Sequence, residues 1–306
     1  MKVFVYTELP EVLQFAVKGK LTGHEVTFRK TETESPPAFA QAELLLGNPP
    51  GKWMDEATHL RFWQLDSAGF DQYSSLNVSF PVANMGDYFS VKCAETIVGG
   101  ILAFYRNIHE LVRLQASSKW IGKPLRYQMD LLTGKKVIIA GAGTIGQAIA
   151  KMLTGFDCDI RMMARTNPQA AIHTKEELLH SLTNTGLLIN TLPGTARHFI
   201  DEECFNAIRD GALYATVGRG STTDERALIK ALQSGKLGGA VLDVTEREPL
   251  PEGSPLWKMQ NVILTQHTAG GYRYEDEGKI DLFIRNVERF LKGEKLLNQV
   301  TLSGGY

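Results

Sequence analysis

From Gly134 to the end of the NVILTQ run, short apolar segments rich in β-branched residues alternate strictly with helical ones. This rhythm limits the possible folds more than any other feature of the chain. KVIIA, DIRMMA, LLINT, ALYATV, GAVLDV and NVILTQ read as six strands. Between them the pattern predicts helices from about Thr144, around Glu176 to Ser181, around Glu202 to Arg209 and from Asp224 to Leu232. Strands that are apolar on both faces and joined by crossover helices pair in parallel under two helical layers. The expected fold class is therefore α/β, with doubly wound parallel sheets.

The first ninety residues carry a second, looser α/β pattern: KVFVY, an apolar helix from Leu9 to Val17, HEVTF, ELLLG and RFWQLDSAG. Ser35-Pro36-Pro37 and Gly47-Asn48-Pro49-Pro50-Gly51 interrupt it as loops. Asp87 is placed to cap a long helix from about Tyr88 to Leu114, in which Gly99-Gly100 is tolerable only where a neighbour packs closely. A last helical face runs from about Tyr274 to Leu291 and is expected to return to the first domain. At 306 residues the chain is too long for one typical core. The expectation is two Rossmann-like domains with the active site in the cleft between them. Residues 1–94 and 275–306 would form a flavodoxin-like substrate domain and residues 95–274 an NAD(P)-binding Rossmann domain.

Charge and cysteine content exclude several function classes. Thirty-three Lys and Arg against 34 Asp and Glu leave a net charge of -1, so no long-range field favours nucleic acid or an anionic membrane. MKVFVYTELP lacks the pattern of a signal peptide, and no apolar run approaches the roughly 18 residues of a membrane span. Cys93, Cys158 and Cys204 are odd in number and scattered, which fits reduced thiols in the cytoplasm and argues against a disulfide framework or a metal site.

KKVIIA runs directly into Gly141-Ala142-Gly143-Thr144-Ile145-Gly146, and a helix follows. In this setting Gly141 permits the tight turn, Gly143 lets a pyrophosphate approach the backbone, and Gly146 lets helix and strand pack closely. The free N–H groups of Thr144 and Ile145 would face the phosphates. NAD-binding units carry an acidic residue about 20 positions on, at the end of the second strand. Here that strand ends in Ala164, followed by Arg165 and Thr166. Without the acid there is no repulsion toward a 2′-phosphate, and Arg165 and Thr166 can bond it, so NADP(H) is expected in preference to NAD(H). The plainer alternative is an arginine pointing into solvent.

Arg219 in ATVGRGSTTDE, Glu248 in AVLDVTEREPLP and His267 in NVILTQHTAGG each follow a strand, and parallel topology brings strand C-termini to one rim. Glu246 is a rival to Glu248 as the histidine's partner. The loop Asp66-Ser67-Ala68-Gly69-Phe70 offers small side chains and backbone N–H groups suited to a carboxylate. His24, His59, His109, His173, His180 and His198 show no partner pattern and read as surface or capping residues.

With these pieces assembled, the chain resembles the D-isomer-specific 2-hydroxyacid dehydrogenases. The resemblance is carried by LTGKKVIIAGAGTIG, INTLPGTARHFI, the V-G-R-G-S run with Asp224, and GGAVLDVTEREPLPEGSPLWKMQNVILTQHTAGG. LDSAGFD and VKCAETIVGGILAFYRNI match more loosely. Its size and the basic residue after the second strand look most like the glyoxylate and hydroxypyruvate reductase branch. The resemblance implies that Arg219 binds and polarises a 2-oxo acid, that His267 donates the proton and that Glu248 pairs with the imidazole. It places Ala68 and Gly69 on the substrate. It adds Leu192, Pro193, Val217, Gly218, Asp243 and Gly270 to the cofactor residues, Asp243 lying near the nicotinamide carboxamide or setting the histidine's environment. A homodimer is also implied, with the apolar helix around Ile97 to Phe104 a candidate contact. Two departures stand out: Gln266 where a proline commonly precedes the histidine, and Thr216-Val217 where an asparagine-led segment is usual.

The implied chemistry is physically coherent. Hydride addition puts negative charge on a carbonyl oxygen, which a guanidinium and an imidazolium N–H stabilise. A lone imidazole, with a pKa of about 6.5, is mostly neutral at pH 7, and an adjacent carboxylate favours its charged form. Two other functions fit the same scaffold. One is a dinucleotide-sensing, corepressor-like binding protein with little turnover; the other is oxidation of formate or phosphite. An available glutamate beside the histidine favours keto-acid reduction over the latter.

Overall fold

The computed structural model describes residues 1–30 and 34–304. The chain divides into two compact units, one formed by Met1–Tyr88 with the segment from Tyr272 onward, the other by Phe89–Gly271. In chain order the first unit contributes β1 (Lys2–Val5), β2 (Glu25–Phe28), β3 (Leu44–Leu46), β4 (Phe62–Gln64) and β5 (Val82–Ala83). The second holds β6 (Lys136–Ala140), β7 (Asp159–Met163), β8 (Leu187–Asn190), β9 (Ala212–Thr216), β10 (Leu237–Leu242) and β11 (Val262–Leu264). β12 (Gln299–Val300) returns to the first. Both units are α/β folds built on parallel sheets.

The first sheet runs in the order β12-β5-β4-β3-β1-β2, parallel throughout except that β12 lies antiparallel on β5. That edge strand escapes sequence reading because two residues give no period to detect. The helices Glu11–Lys20 and Glu275–Leu291 belong to this unit. Ile280, Phe283, Ile284 and Val287 of the latter pack with Val3, Val5, Leu44 and Phe62 on one side of the sheet, while Phe4, Leu45 and Trp63 point into the opposite core. The alternation along β1 is that of a strand covered on both faces.

The second sheet, β11-β10-β9-β8-β6-β7, is parallel throughout. All residues of β8 and β9 are buried. Val137, Ile139, Leu187 and Ile189 face a core shared with helices Ser90–Tyr105 and Thr144–Leu153. Ile138, Ala140 and Leu188 face the other, shared with Lys175–Leu182, Glu202–Ala207 and Glu225–Gln233. Polar caps set the starts of these last three helices. The Thr174 side chain accepts from Glu177 N–H in a capping box, Asp201 accepts from Cys204 N–H and Asp224 from Ala227 N–H, each worth about 1 kcal/mol. The chain steps from β6 outward to β7 and then back past β6 to β8, so the topological switch point lies at the C-terminal ends of β6 and β8.

The long helix expected from Tyr88 to Leu114 is two helices. The first, Ser90–Tyr105, starts after Phe89 with no side-chain cap, so Asp87 does not cap it. Asn107 then takes up a left-handed conformation, φ 53°, and a separate helix, Ile108–Ala116, follows. Asparagine tolerates that region better than most residues, which is why the stretch from Ile101 to Ala116, without Gly or Pro, conceals the break. Of the glycine pair, Gly100 is the one under contact: a Cβ there would stand 2.5 Å from Val241 Cγ1, whereas Gly99 has nothing within 4 Å. Ile97, Val98 and Ile101 are buried within the unit's own core. That face packs into the unit's own core, while Leu102, Ala103 and Phe104 of the same helix stay half-buried. No described helix is long and apolar enough to cross a membrane.

Candidate active site

β6 ends at Ala140, and the glycine turn begins with Gly141 at φ 111°, a backbone angle open essentially to glycine alone. A Cβ on Gly141 would stand 2.4 Å from Thr191 Oγ1, and one on Gly146 would stand 2.2 Å from Gly141 O. Strand, turn and helix therefore touch through hydrogen atoms. Gly143 precedes the helix Thr144–Leu153 without a side-chain cap, and Gly143 and Thr144 are exposed. The helix start thus presents open N–H donors and the positive end of its dipole to an anion. β7 ends at Met163; Arg165 and Thr166 beyond it are exposed and make no side-chain hydrogen bond or ion pair among the described residues. On the neighbouring strand ends lie half-buried Leu192 and Pro193, buried Val217, and Gly218, whose Cβ would meet Leu192 O at 2.6 Å. A Cβ on Gly270 would stand 3.0 Å from the Phe89 ring. These residues fit an extended anionic dinucleotide: open amides at a helix start, a free guanidinium beyond the second strand, and strand ends without bulk.

Beyond β11 the backbone at Gln266 and His267 is left-handed at both positions, φ 55° each. Such angles are uncommon for non-glycine residues and cost on the order of 1–3 kcal/mol apiece. Buried Asp243 offsets that strain. Its carbonyl accepts from His267 N–H at 2.6 Å, and its Oδ1 accepts from Thr265 Oγ1 at 2.6 Å and from the amides of Thr268 and Ala269 at 3.0 Å. The turn aims the imidazole at the next loop. His267 Nδ1 stands 2.6 Å from Glu248 Oε2, and Glu248 Oε1 accepts from Thr245 N–H at 3.0 Å. An ionised carboxylate only accepts, so Nδ1 carries the proton of that bond and Nε2 is left for another partner. The side chains are half-exposed, 54 % for His267 and 36 % for Glu248. A cavity of about 410 Å³ adjoins them, walled by Leu250, Trp257, Leu264 and Gln266. Glu246 takes a different partner, His198, at 2.6 Å.

Arg219 leaves β9 in extended conformation at the start of a tight turn, and its Oγ-bonded neighbour Thr222 donates to the Arg219 carbonyl at 2.6 Å. Burial raises the Cys93 thiol, the Asp243 charge adds to that shift and the Arg219 charge opposes it. The residue after Arg219, Gly220, lies directly against the 245–246 backbone, where a Cβ would stand 1.7 Å from Thr245 O. The loops bearing Arg219 and Glu248 are thus in backbone contact. In the first unit, the loop holding Ala68 and Gly69 is braced from three sides. Asn84 Nδ2 donates to Ala68 O at 2.6 Å, Asn48 Nδ2 to Ser67 Oγ at 2.9 Å, and Thr7 Oγ1 to Asp66 Oδ2 at 2.8 Å. The amides of Ala68 and Gly69 donate to no acceptor among the described residues. No group of described His, Cys, Asp and Glu residues could hold a metal ion.

Residues 98–269 match the family described as D-isomer specific 2-hydroxyacid dehydrogenase, NAD binding domain. Glyoxylate/hydroxypyruvate reductase A of Arabidopsis thaliana is 36 % identical over 224 residues, 72 % of this chain and 70 % of its own. This chain belongs to the D-isomer specific 2-hydroxyacid dehydrogenase family. A Salmonella paratyphi B glyoxylate/hydroxypyruvate reductase A is 32 % identical over 238 residues, covering 76 % and 74 % of the two chains. Among solved structures, a D-isomer specific 2-hydroxyacid dehydrogenase from Xanthobacter autotrophicus Py2, in complex with NADPH and MES, matches with TM-score 0.83 at 27 % identity over 99 % of both chains. The fold is shared too with the NADPH-dependent glyoxylate/hydroxypyruvate reductase of Sinorhizobium meliloti, TM-score 0.84 at 23 % identity over 99 % of both.

Several residues that shape this dehydrogenase's site lie outside the sequence reading. Asn190, fully buried at the end of β8, donates to Tyr214 Oη at 3.0 Å and Thr222 Oγ1 at 2.8 Å, while its own oxygen accepts from Leu192 N–H. It underpins the Arg219 turn and the 192–193 strand end together. A buried polar residue closing an otherwise apolar strand was the available signal. His198, read as a surface residue, is 39 % exposed and also hydrogen-bonds Glu246; 48 residues separate the two, so no local pattern announces them.

Proposed function

We propose that this member of the family reduces a small 2-oxo acid of the glyoxylate or hydroxypyruvate type to the D-2-hydroxy acid, with NADPH as reductant. Bound NADPH supplies the hydride to the carbonyl carbon. Arg219 pairs with the substrate carboxylate and polarises the carbonyl, and the free amides of Ala68 and Gly69 are further carboxylate donors. His267 presents Nε2–H to the carbonyl oxygen and gives up its proton as negative charge develops there. Glu248 keeps the imidazole in that orientation by accepting from Nδ1. The observation that carries the reading is the 2.6 Å contact between His267 Nδ1 and Glu248 Oε2, with the second carboxylate oxygen held by Thr245 N–H. A carboxylate fixed at both oxygens is preorganised to support an imidazolium.

The cofactor choice rests on the exposed, unpaired Arg165 and Thr166 and on the lack of a carboxylate at that strand end. Assembly as a homodimer is proposed through the apolar surface that follows the helix Ser90–Tyr105. Trp120 is 96 % exposed, and Ile108, Val112, Ile121, Tyr127 and Leu131 are exposed near it in sequence, more apolar surface than one stretch of a monomer usually shows. A cytoplasmic setting accords with three free cysteines. The test is a screen of NADPH and NADH against short 2-oxo acids, followed by the loss of reduced-nicotinamide absorbance. Steady turnover of glyoxylate or hydroxypyruvate with NADPH is expected. Tight cofactor binding without turnover across the panel would overturn the proposal in favour of a sensing role.

A further inference from the structure

The second histidine–carboxylate pair joins the two loops that carry Arg219 and Glu248. Glu246 follows Thr245 on the loop of Glu248, and its Oε1 accepts from His198 Nε2 at 2.6 Å, with Arg197 at 3.7 Å. His198 is in turn sewn to the loop of Arg219: its N–H donates to Ser221 O at 2.8 Å, Ile200 N–H donates to Thr222 O at 3.0 Å, and Asp224 N–H donates back to Ile200 O at 2.9 Å. The cap residue's neighbour Glu225 closes the ring, its Oε2 accepting from Glu246 N–H at 3.0 Å. Burial raises the Glu225 carboxyl above the ordinary range; the Glu246 N–H it accepts opposes that shift, and the Glu246 charge adds to it. Two carboxylates therefore meet where the loops join, and His198 Nε2 hydrogen-bonds one of them. His198 itself sits at φ 47°, a strained conformation that this pairing helps to hold.

We propose that the His198–Glu246 pair is a positioning device that fixes the Arg219 loop against the Glu248 loop and so sets the guanidinium relative to the imidazole. The inference rests on the reading of Arg219, Glu248 and His267 as the reaction's machinery. Gly220 brings the two backbones together at one point, and His198, 48 residues before Glu246, enters from the segment after β8 and adds a third stretch of chain to the junction. Three tied segments resist the sliding that two allow, and misplacement of about 1 Å at a reacting group lowers rates by as much as 10²-fold.

The test compares Glu246→Ala, His198→Ala and Glu246→Gln in the full chain by amide hydrogen exchange and by steady-state kinetics with glyoxylate and NADPH. In either alanine variant the amides of His198, Thr222 and Thr223 are expected to lose protection by on the order of tenfold while those of β6 keep theirs. The KM for glyoxylate rises and kcat falls, together on the order of tenfold, with NADPH affinity unchanged. Glu246→Gln keeps an oxygen acceptor for His198 and recovers most of the wild-type values. Unchanged exchange in both alanine variants overturns the proposal. So does a glutamine variant as impaired as the alanine, or a loss of NADPH affinity equal to the loss of turnover. Should Arg219→Ala and His267→Ala turn over at the wild-type rate, the assigned machinery is wrong, and the exchange measurement alone then decides whether the pair ties the loops.

Discussion

Replacing His267 with alanine separates chemistry from stability more cleanly than any other change in this molecule. The imidazole is 54 % exposed and its one side-chain partner among the described residues is Glu248, so the pair contributes no more than about 1 kcal/mol to folding. Alanine keeps an L-residue at φ 55°, leaving the strain of the turn as it was, and the main-chain bond from residue 267 to Asp243 O is retained. Glu248 stays tethered by Thr245 N–H. Against this small structural change stands the loss of the proposed proton donor, typically 10²- to 10⁴-fold in rate, or about 3–5 kcal/mol of barrier. His267→Ala is thus expected to lower kcat for glyoxylate by roughly 10²-fold or more, with the unfolding midpoint shifted by no more than about 2–4 °C. Initial rates with NADPH, a fluorescence titration of NADPH binding and a thermal scan measure the three quantities. Wild-type turnover in a folded variant would remove His267 as the acid.

Other changes probe the scaffold and the cofactor site. Arg165→Ala should weaken NADPH at least tenfold relative to NADH in paired KM measurements, since a charge-assisted bond to phosphate contributes on the order of 1.5–3 kcal/mol; an unchanged ratio places the phosphate elsewhere. In the helix Ser90–Tyr105, Gly99→Ala should stabilise by about 0.5–1 kcal/mol because its Cβ meets open space, while Gly100→Ala should destabilise by about 1–3 kcal/mol against Val241, both read by denaturant titration; equal effects would contradict the packing described. Gly220→Ala drives a Cβ into Thr245 O and is expected to abolish most turnover, with near-normal kinetics as the refuting result. The Cys93 thiol is pushed from 9.0 up to about 11, by burial first and the Asp243 charge second, with Arg219 pulling the other way. Between those values the unfolded chain has lost a proton that the folded one keeps, so stability falls as pH rises from 9 to 11. Cys93→Ala should flatten that part of the stability curve, and an identical slope would refute the assignment.

The nucleotide unit was legible because its strands are buried on both faces, which writes long apolar runs into the sequence, and because a glycine turn at a strand end has little freedom to mean anything else. β12 and the break at Asn107 were not legible: one is too short to carry a period, and the other turns on a single left-handed residue inside an apolar stretch. At the site, composition left Glu246 and Glu248 as rivals. Three-dimensional direction separates them, since residues two apart on a bent loop point to different neighbours, here His198 and His267. Asn190 and His198 show the general limit, because a buried polar side chain declares its purpose only through partners far away in the chain.

The glutamine ahead of His267 has a consequence for exchange among relatives. At φ 55° no proline ring can be seated at position 266, for the ring holds that angle near −65°. Gln266→Pro therefore cannot act as a simple side-chain swap: it obliges the peptide bearing the imidazole to rotate and pulls on every bond that Asp243 makes to residues 265–269. Transplanting that single residue between members with different turn shapes should disturb proton delivery well before it alters which acid is accepted, and grafts that move the whole segment from Asp243 through Ala269 should be the ones that carry activity across.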